Sequence, residues 1–201
     1  MIFYGKQFID HEDIKLVTKA LKDDYITQGK YVNIFEKKLS EKFSKFACVV
    51  SSGTAALHLS LRAINISEGD ILLASPITFV ASTNAALYCK AKIDLVDISL
   101  EDYNIDLNLL EKKIKFYRKK NKKIKAVIIT DYAGHPANWS ELRYLANKYN
   151  FILINDNCHA LGASYKKKFN YAAYYADIVT LSFHPVKAIT TGEGGAVLSN
   201  N

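Results

Sequence analysis

The stretch Phe151-Ile152-Leu153-Ile154-Asn155-Asp156-Asn157-Cys158-His159 decides how the rest of the chain is read. Four consecutive apolar residues without polar alternation describe a strand buried on both faces, and such strands belong to parallel sheets covered by helices. Phe151 to Ile154 is therefore expected as an inner strand, with Asn155 to His159 at its carboxyl-terminal edge. Open α/β sheets bind their ligands beyond that edge. The same alternation runs outward in both directions. Ile14, Val17 and Leu21 recur at helical spacing after Asp10, a plausible cap, and Tyr31, Phe35 and Leu39 mark a second helix. Further strands are expected at Ala47 to Val50, Ile71 to Ala74, Ile93 to Asp97, Ile124 to Thr130, Ile178 to Phe183 and Gly195 to Ser199. Helices are expected at Thr54 to Ala63, Phe79 to Cys89, Leu107 to Lys119 and Ser140 to Tyr149, with none between the last two strands. The expected fold class is α/β: three layers, α/β/α, around a mainly parallel sheet.

At 201 residues the chain has room for one large domain with a real core. It is 49% hydrophobic and 23% charged, an ordinary globular composition that excludes disordered and collagen-like classes. Every apolar stretch falls short of the ~20 residues a spanning helix needs, so no membrane partner is expected. Met1 to Gln7 lacks the basic-then-apolar order of a secretory signal, which points to the cytoplasm. The three cysteines, Cys48, Cys89 and Cys158, are widely spaced and form no CxxC pair, so neither a disulfide framework nor a metal site is expected. The net charge of +7 is local: nine of the 27 basic residues lie between Lys112 and Lys125, where there is no acid. Without them, 18 basic residues stand against 20 acidic ones, a net of −2. That run reads as a solvated helix end and loop, and with only three arginines (Arg62, Arg118, Arg143) no nucleic-acid partner is expected.

Three loci carry chemistry. Ser51-Ser52-Gly53-Thr54 follows one strand and opens a helix, offering small residues and unpaired first-turn amides to an anion. It is neither a Walker loop nor GxGxxG. Asp156 stands at a strand end with His159 three residues on. Lys187 follows Ser182-Phe183-His184-Pro185-Val186 and precedes the glycine-rich turn Gly192-Glu193-Gly194-Gly195. Alone, each locus reads first as the bland alternative: a helix cap, a turn residue, a solvated lysine. Together they match what pyridoxal phosphate asks of a protein: a lysine amine for its aldehyde, a carboxylate for its ring nitrogen and an anion site for its phosphate. Phe79, in Ser75-Pro76-Ile77-Thr78-Phe79-Val80-Ala81-Ser82, is the candidate for an aromatic face against the ring. A Cys158/His159 hydrolase is disfavoured, because strand neighbours point to opposite faces and no nucleophile elbow is present.

Tyr4-Gly5-Lys6-Gln7, Ile26-Thr27-Gln28-Gly29, Ser51 to His58, Ser75 to Ser82, Asp156 to Ala163 and Ser182 to Lys187 resemble, in order along the chain, the DegT/DnrJ/EryC1/StrS family of sugar aminotransferases. The resemblance implies the large domain of a pyridoxal-phosphate-dependent transferase of fold type I, a cytoplasmic homodimer acting in cell-surface polysaccharide synthesis. Ser75 to Ser82 and Ser182 to Lys187 are most similar to the pseudaminic acid branch of the family. That branch aminates C4 of a UDP-4-keto-6-deoxy-N-acetylamino sugar with glutamate as donor. By resemblance, Lys187 is the Schiff-base lysine and proton shuttle, Asp156 partners the ring nitrogen and Phe79 stacks on the ring. Gly53, Thr54 and Ser182 hold the phosphate, and His159 sits near the ring hydroxyl. Tyr25 to Gly29 border the substrate pocket, while His135 and His184 default to structural histidines. Lys187 argues against the family's dehydratases, which carry histidine there. Asn155 departs from the acid usual before the Asp. The family's length implies that residues 1–201, including amino-terminal helices in 8–45, form the cofactor-binding domain and that a small carboxyl-terminal domain is absent. The rival expectation is a non-catalytic truncated remnant that binds the cofactor weakly or pairs with a full-length relative.

Overall fold

The structure, a computed structural model, describes residues 5–200, so Tyr4 of the first motif and Asn201 lie outside the described residues. A seven-stranded sheet forms from β1 (Phe46–Val50), β2 (Ile71–Ala74), β3 (Lys92–Leu95), β4 (Ile124–Thr130), β5 (Ile152–Asp156), β6 (Ile178–Ser182) and β7 (Gly195–Ser199), in the order β1-β7-β6-β5-β4-β2-β3. The β6-β5-β4-β2-β3 pairings are parallel, and β7 runs antiparallel to both β6 and β1. The helices are α1 (His11–Leu21), α2 (Lys30–Phe43), α3 (Gly53–Ala63), α4 (Ala81–Tyr88), α5 (Leu107–Lys119), α6 (Trp139–Tyr149) and α7 (Tyr171–Tyr175).

Consecutive strand residues enter different cores, as continuous apolar runs require. Leu73, Val127 and Leu153 pack with α2, α5, α6 and α7 on one face. Leu72, Ile128 and Ile154 pack with α3 and α4 on the other. Leu153 and Ile154 are both fully buried, so truncating either to Ala costs about 2–5 kcal/mol. The three-layer α/β/α expectation therefore stands, with one reversed strand, as do the elements read from the sequence apart from small shifts. The most useful shift is at β5, whose ladder runs on through Asp156, making that residue the last of the strand. The helix expected from Phe79 begins at Ala81, leaving Phe79 on the preceding loop. Short α7 carries no helical period over its five residues and was not expected. No helix among the described residues is long and apolar enough to cross a membrane.

Candidate active site

Alternation along the strands settles what each carboxyl-terminal edge offers to which side. On β4, β5 and β6, Thr130, Asp156 and Ser182 share the face of Ile128, Ile154 and Ile178, toward α3 and α4. Asp131, Asn155 and Phe183 fall on the other face, with Val127, Leu153 and Val179. The first set opens into a cavity of about 750 Å³, within the roughly 300–1,000 Å³ usual for ligand pockets. Gly53, Thr54, Phe79, Asp156, His159, Ser182 and Lys187 all line it.

The amino terminus of α3 forms one wall. Ser52 is its N-cap, with Oγ accepting from the Ala55 amide at 3.1 Å. The amides of Gly53 and Thr54 have no acceptor among the described residues and remain the free donors of the first turn. A Cβ on Gly53 would stand 2.8 Å from Ser182 Cβ and 3.2 Å from Cys158 Sγ, so only glycine lets this turn meet the ends of β5 and β6. One on Gly195 would collide with the Ser52 carbonyl, which fixes β7 beneath the same turn.

The Asp156 carboxylate is 3% exposed and faces the cavity. Its Oδ2 accepts the Ser82 hydroxyl at 2.9 Å, and its Oδ1 accepts the Cys158 amide at 3.3 Å. A carboxylate only accepts, so Ser82 spends its one proton here and must accept from Thr78 at 2.8 Å. Thr78, its own proton committed, accepts from Thr130, also at 2.8 Å. Three hydroxyl dipoles thus point along one line at Asp156, an arrangement in which each bond polarises the next.

Lys187 sits in the loop after β6, half-buried, its amide donating to the His184 carbonyl at 2.9 Å. Its ammonium makes no ion pair among the described residues. Burial and the Lys187 charge push His159 below the usual histidine range, against the pull of Asp156. Burial and the Asp156 charge push the Cys158 thiol well up, away from the thiolate that a cysteine hydrolase uses. Phe79 is 69% exposed, laying an aromatic ring along the mouth. His184 is exposed and lines the cavity, unlike a buried structural histidine, whereas Tyr25 to Gly29 lie outside the lining. Sequence reasoning missed Thr78, Ser82, Thr130 and Tyr132. Thr78 and Ser82 stand four residues apart at the entry to α4, a spacing that predicts their contact once Asp156 is placed beside them.

A profile of known families matches residues 7–201 to the DegT/DnrJ/EryC1/StrS aminotransferase family. The chain belongs to that family. Over its full length it is 46% identical to a UDP-4-amino-4,6-dideoxy-N-acetyl-beta-L-altrosamine transaminase of Campylobacter jejuni, covering 52% of that protein. It is 37% identical to a GDP-perosamine synthase of Escherichia coli over 92% of this chain and 49% of that one. Among solved structures it superposes with TM-score 0.87 on Helicobacter pylori PseC, an aminotransferase of pseudaminic acid biosynthesis, at 34% identity over 99% of this chain and 52% of that one. A TM-score of 0.87 also relates it, at 27% identity, to Spr1654 of Streptococcus pneumoniae in its PLP form, with 100% of this chain and 53% of that one covered. The chain spans about half the length of these relatives. The fold is that of pyridoxal-phosphate-dependent fold type I, and the DegT family cofactor is pyridoxal phosphate. The donor set fits it: a cavity-facing carboxylate with spare acceptor capacity, a helix start with two amides and beside it a serine hydroxyl, and a lysine, the amides and the lysine ammonium being without partners among the described residues.

Proposed function

We propose that this chain is the cofactor-binding part of an aminotransferase that moves an amino group from glutamate to C4 of a UDP-linked 4-keto-6-deoxy-N-acetylamino sugar, working as a cytoplasmic homodimer. The observation that supports it most is the meeting of Lys187, Asp156 and the α3 amino terminus around one cavity, although they arise from three separate strand ends. When bound, pyridoxal phosphate supplies a carbonyl to carry the amino group and a ring to take up electrons. The chain supplies the rest. Lys187 holds the aldehyde covalently and moves a proton at Nζ. Asp156 would accept a charge-assisted hydrogen bond from the protonated ring nitrogen, and Phe79 would cover the ring. Gly53 and Thr54 amides with the Ser182 hydroxyl hold the phosphate, favoured by the α3 dipole. His159, which lines the same cavity and is held below the usual histidine range by burial, would sit near the ring hydroxyl. The Campylobacter jejuni relative is named for a UDP-linked 4-amino-4,6-dideoxy sugar, and the 4-keto counterpart of that sugar is the acceptor proposed for this chain on the strength of their identity along its whole length.

The test is the visible spectrum of the purified chain with pyridoxal phosphate, before and after glutamate. A yellow band that bleaches with glutamate and disappears in Lys187→Ala supports the reading. A band that survives in Lys187→Ala under borohydride trapping overturns the role of Lys187. No band in the wild-type chain means the cavity does not load without further polypeptide.

A further inference from the structure

Asp131 is fully buried one strand away from Asp156, and its carboxylate lies on the opposite face of the sheet, outside the cavity lining. Five donors converge on it. Oδ1 accepts from the Ala137 amide and the Trp139 indole, each at 2.9 Å, which ties it to the start of α6. Oδ2 accepts from Asn155 Nδ2 at 3.0 Å, Asn157 Nδ2 at 3.3 Å and the Tyr171 hydroxyl at 2.7 Å. The Asp131 amide donates to the Asp156 carbonyl at 3.4 Å.

Resting on the cofactor reading above, we propose that Asp131 is a positioning residue that aims Asp156 into the cavity by gripping its two neighbours from the far face. Side chains alternate along β5, so Asn155 and Asn157 point away from the cavity when Asp156 points into it. Holding both on one carboxylate oxygen, and the intervening carbonyl on the Asp131 amide, fixes the rotation of the strand end at three successive residues. The Asn155 amide can sit only one way round. Its Nδ2 faces two acceptors, the Ile129 carbonyl at 3.3 Å and Asp131 Oδ2, while its Oδ1 is buried without a partner among the described residues. That orphan oxygen is the cost of offering a donor to Asp131. An acid at 155 would instead set a second buried carboxylate beside the first. The charge of Asp131 therefore dictates the amide at 155, and with it the direction of Asp156.

The test compares the affinity of the chain for pyridoxal phosphate with that for the analogue whose ring nitrogen is replaced by C–H, by calorimetric titration. An aimed Asp156 favours the cofactor by about tenfold or more, the worth of one charge-assisted hydrogen bond. Asp131→Asn and Asn155→Asp are each expected to cut that preference below about threefold, because the carboxylate no longer meets the nitrogen. Loss of affinity for both compounds alike, with the preference intact, shows a merely structural role and overturns the proposal. Urea unfolding of the two single variants and the double variant tests the pairing separately: strictly additive losses overturn it, and non-additive ones support it. A wild-type chain that binds both compounds equally refutes the role of Asp156 and the aim with it. One that binds neither defeats the cofactor reading and hence the aim, while the urea cycle still decides whether Asp131 dictates the amide at 155.

Discussion

Asp131 and Asp156 lie at the same end of the sheet, on adjacent strands, almost equally buried, and yet on opposite faces with opposite surroundings. Asp131 meets five donors from three segments and lies outside the cavity lining. Asp156 meets one hydroxyl, one long amide contact and the weak donor of the Cys158 thiol, and its remaining acceptor capacity faces a cavity. A saturated carboxylate is a structural joint. A buried carboxylate left partly unsatisfied beside a cavity is tolerated where a ligand completes it. Burial pushes Asp131 above the usual carboxylate range, while the hydrogen bonds from Tyr171, Ala137, Trp139 and Asn155 pull the other way.

Removing each carboxylate is the sharpest way to break this contrast. Asp131→Ala strands several buried donors and is expected to cost at least about 3 kcal/mol in urea unfolding. If it costs no more than a surface substitution, the joint does not exist. Asp156→Asn keeps an acceptor for Ser82 and is expected to move stability by less than about 0.5 kcal/mol. The same variant is expected to slow the glutamate-dependent bleaching of bound cofactor by roughly 100-fold, as loss of one aimed electrostatic group does elsewhere. Equal rates in stopped-flow absorbance would erase the distinction between the two acids.

Ser82→Ala probes the open side more gently. It removes the last hydroxyl of the chain from Thr130 through Thr78, at an expected cost of about 1 kcal/mol in stability. Its cofactor affinity should fall further than in Thr83→Ala, whose hydroxyl bonds only the Val80 carbonyl. Identical affinities would show that the aligned hydroxyls do nothing for Asp156.

The smallest effect is expected at a third carboxylate, on the surface. Glu111 accepts from Lys115, Lys148 and the Tyr149 hydroxyl, which together hold it down at about 2. Its folded value lies below its unfolded one, so its contribution is complete above pH ~4.5 and fades as pH falls toward 2. Being in solvent, it is screened by salt. Urea midpoints of Glu111→Gln and wild type should differ slightly at neutral pH and converge in acid; a gap that widens in acid contradicts the sign.

The helix beside Glu111 shows how composition is read correctly and still says little about function. The lysine-rich run from Lys112 reads as a solvated helix end, and Lys113 and Lys115 do spend their charge on Asp94 and Glu111. Where sequence reading fell short, the reason is physical. Tyr171 stands in a five-residue helix without a period to reveal it, and only folding brings its hydroxyl to Asp131. Ser82 and Thr78 read as helix-entry residues, since nothing local says that a carboxylate 74 positions from Ser82 will need a donor.

By itself the sequence determined the local periods: buried runs that had to be strands, amphipathic runs that had to be helices, and a small-residue helix start able to receive an anion. It also determined that Asp131 and Asp156 would stand at strand ends, because strand length follows from the apolar run. Which of the two would face the cavity was decided only in the tertiary structure. Alternation tells that neighbours diverge but not which side each one takes. That side is set by the register of distant strands and by which helices cover which face. Here α3 and α4 lie over Thr130, Asp156 and Ser182, and α6 and α7 close over Asp131.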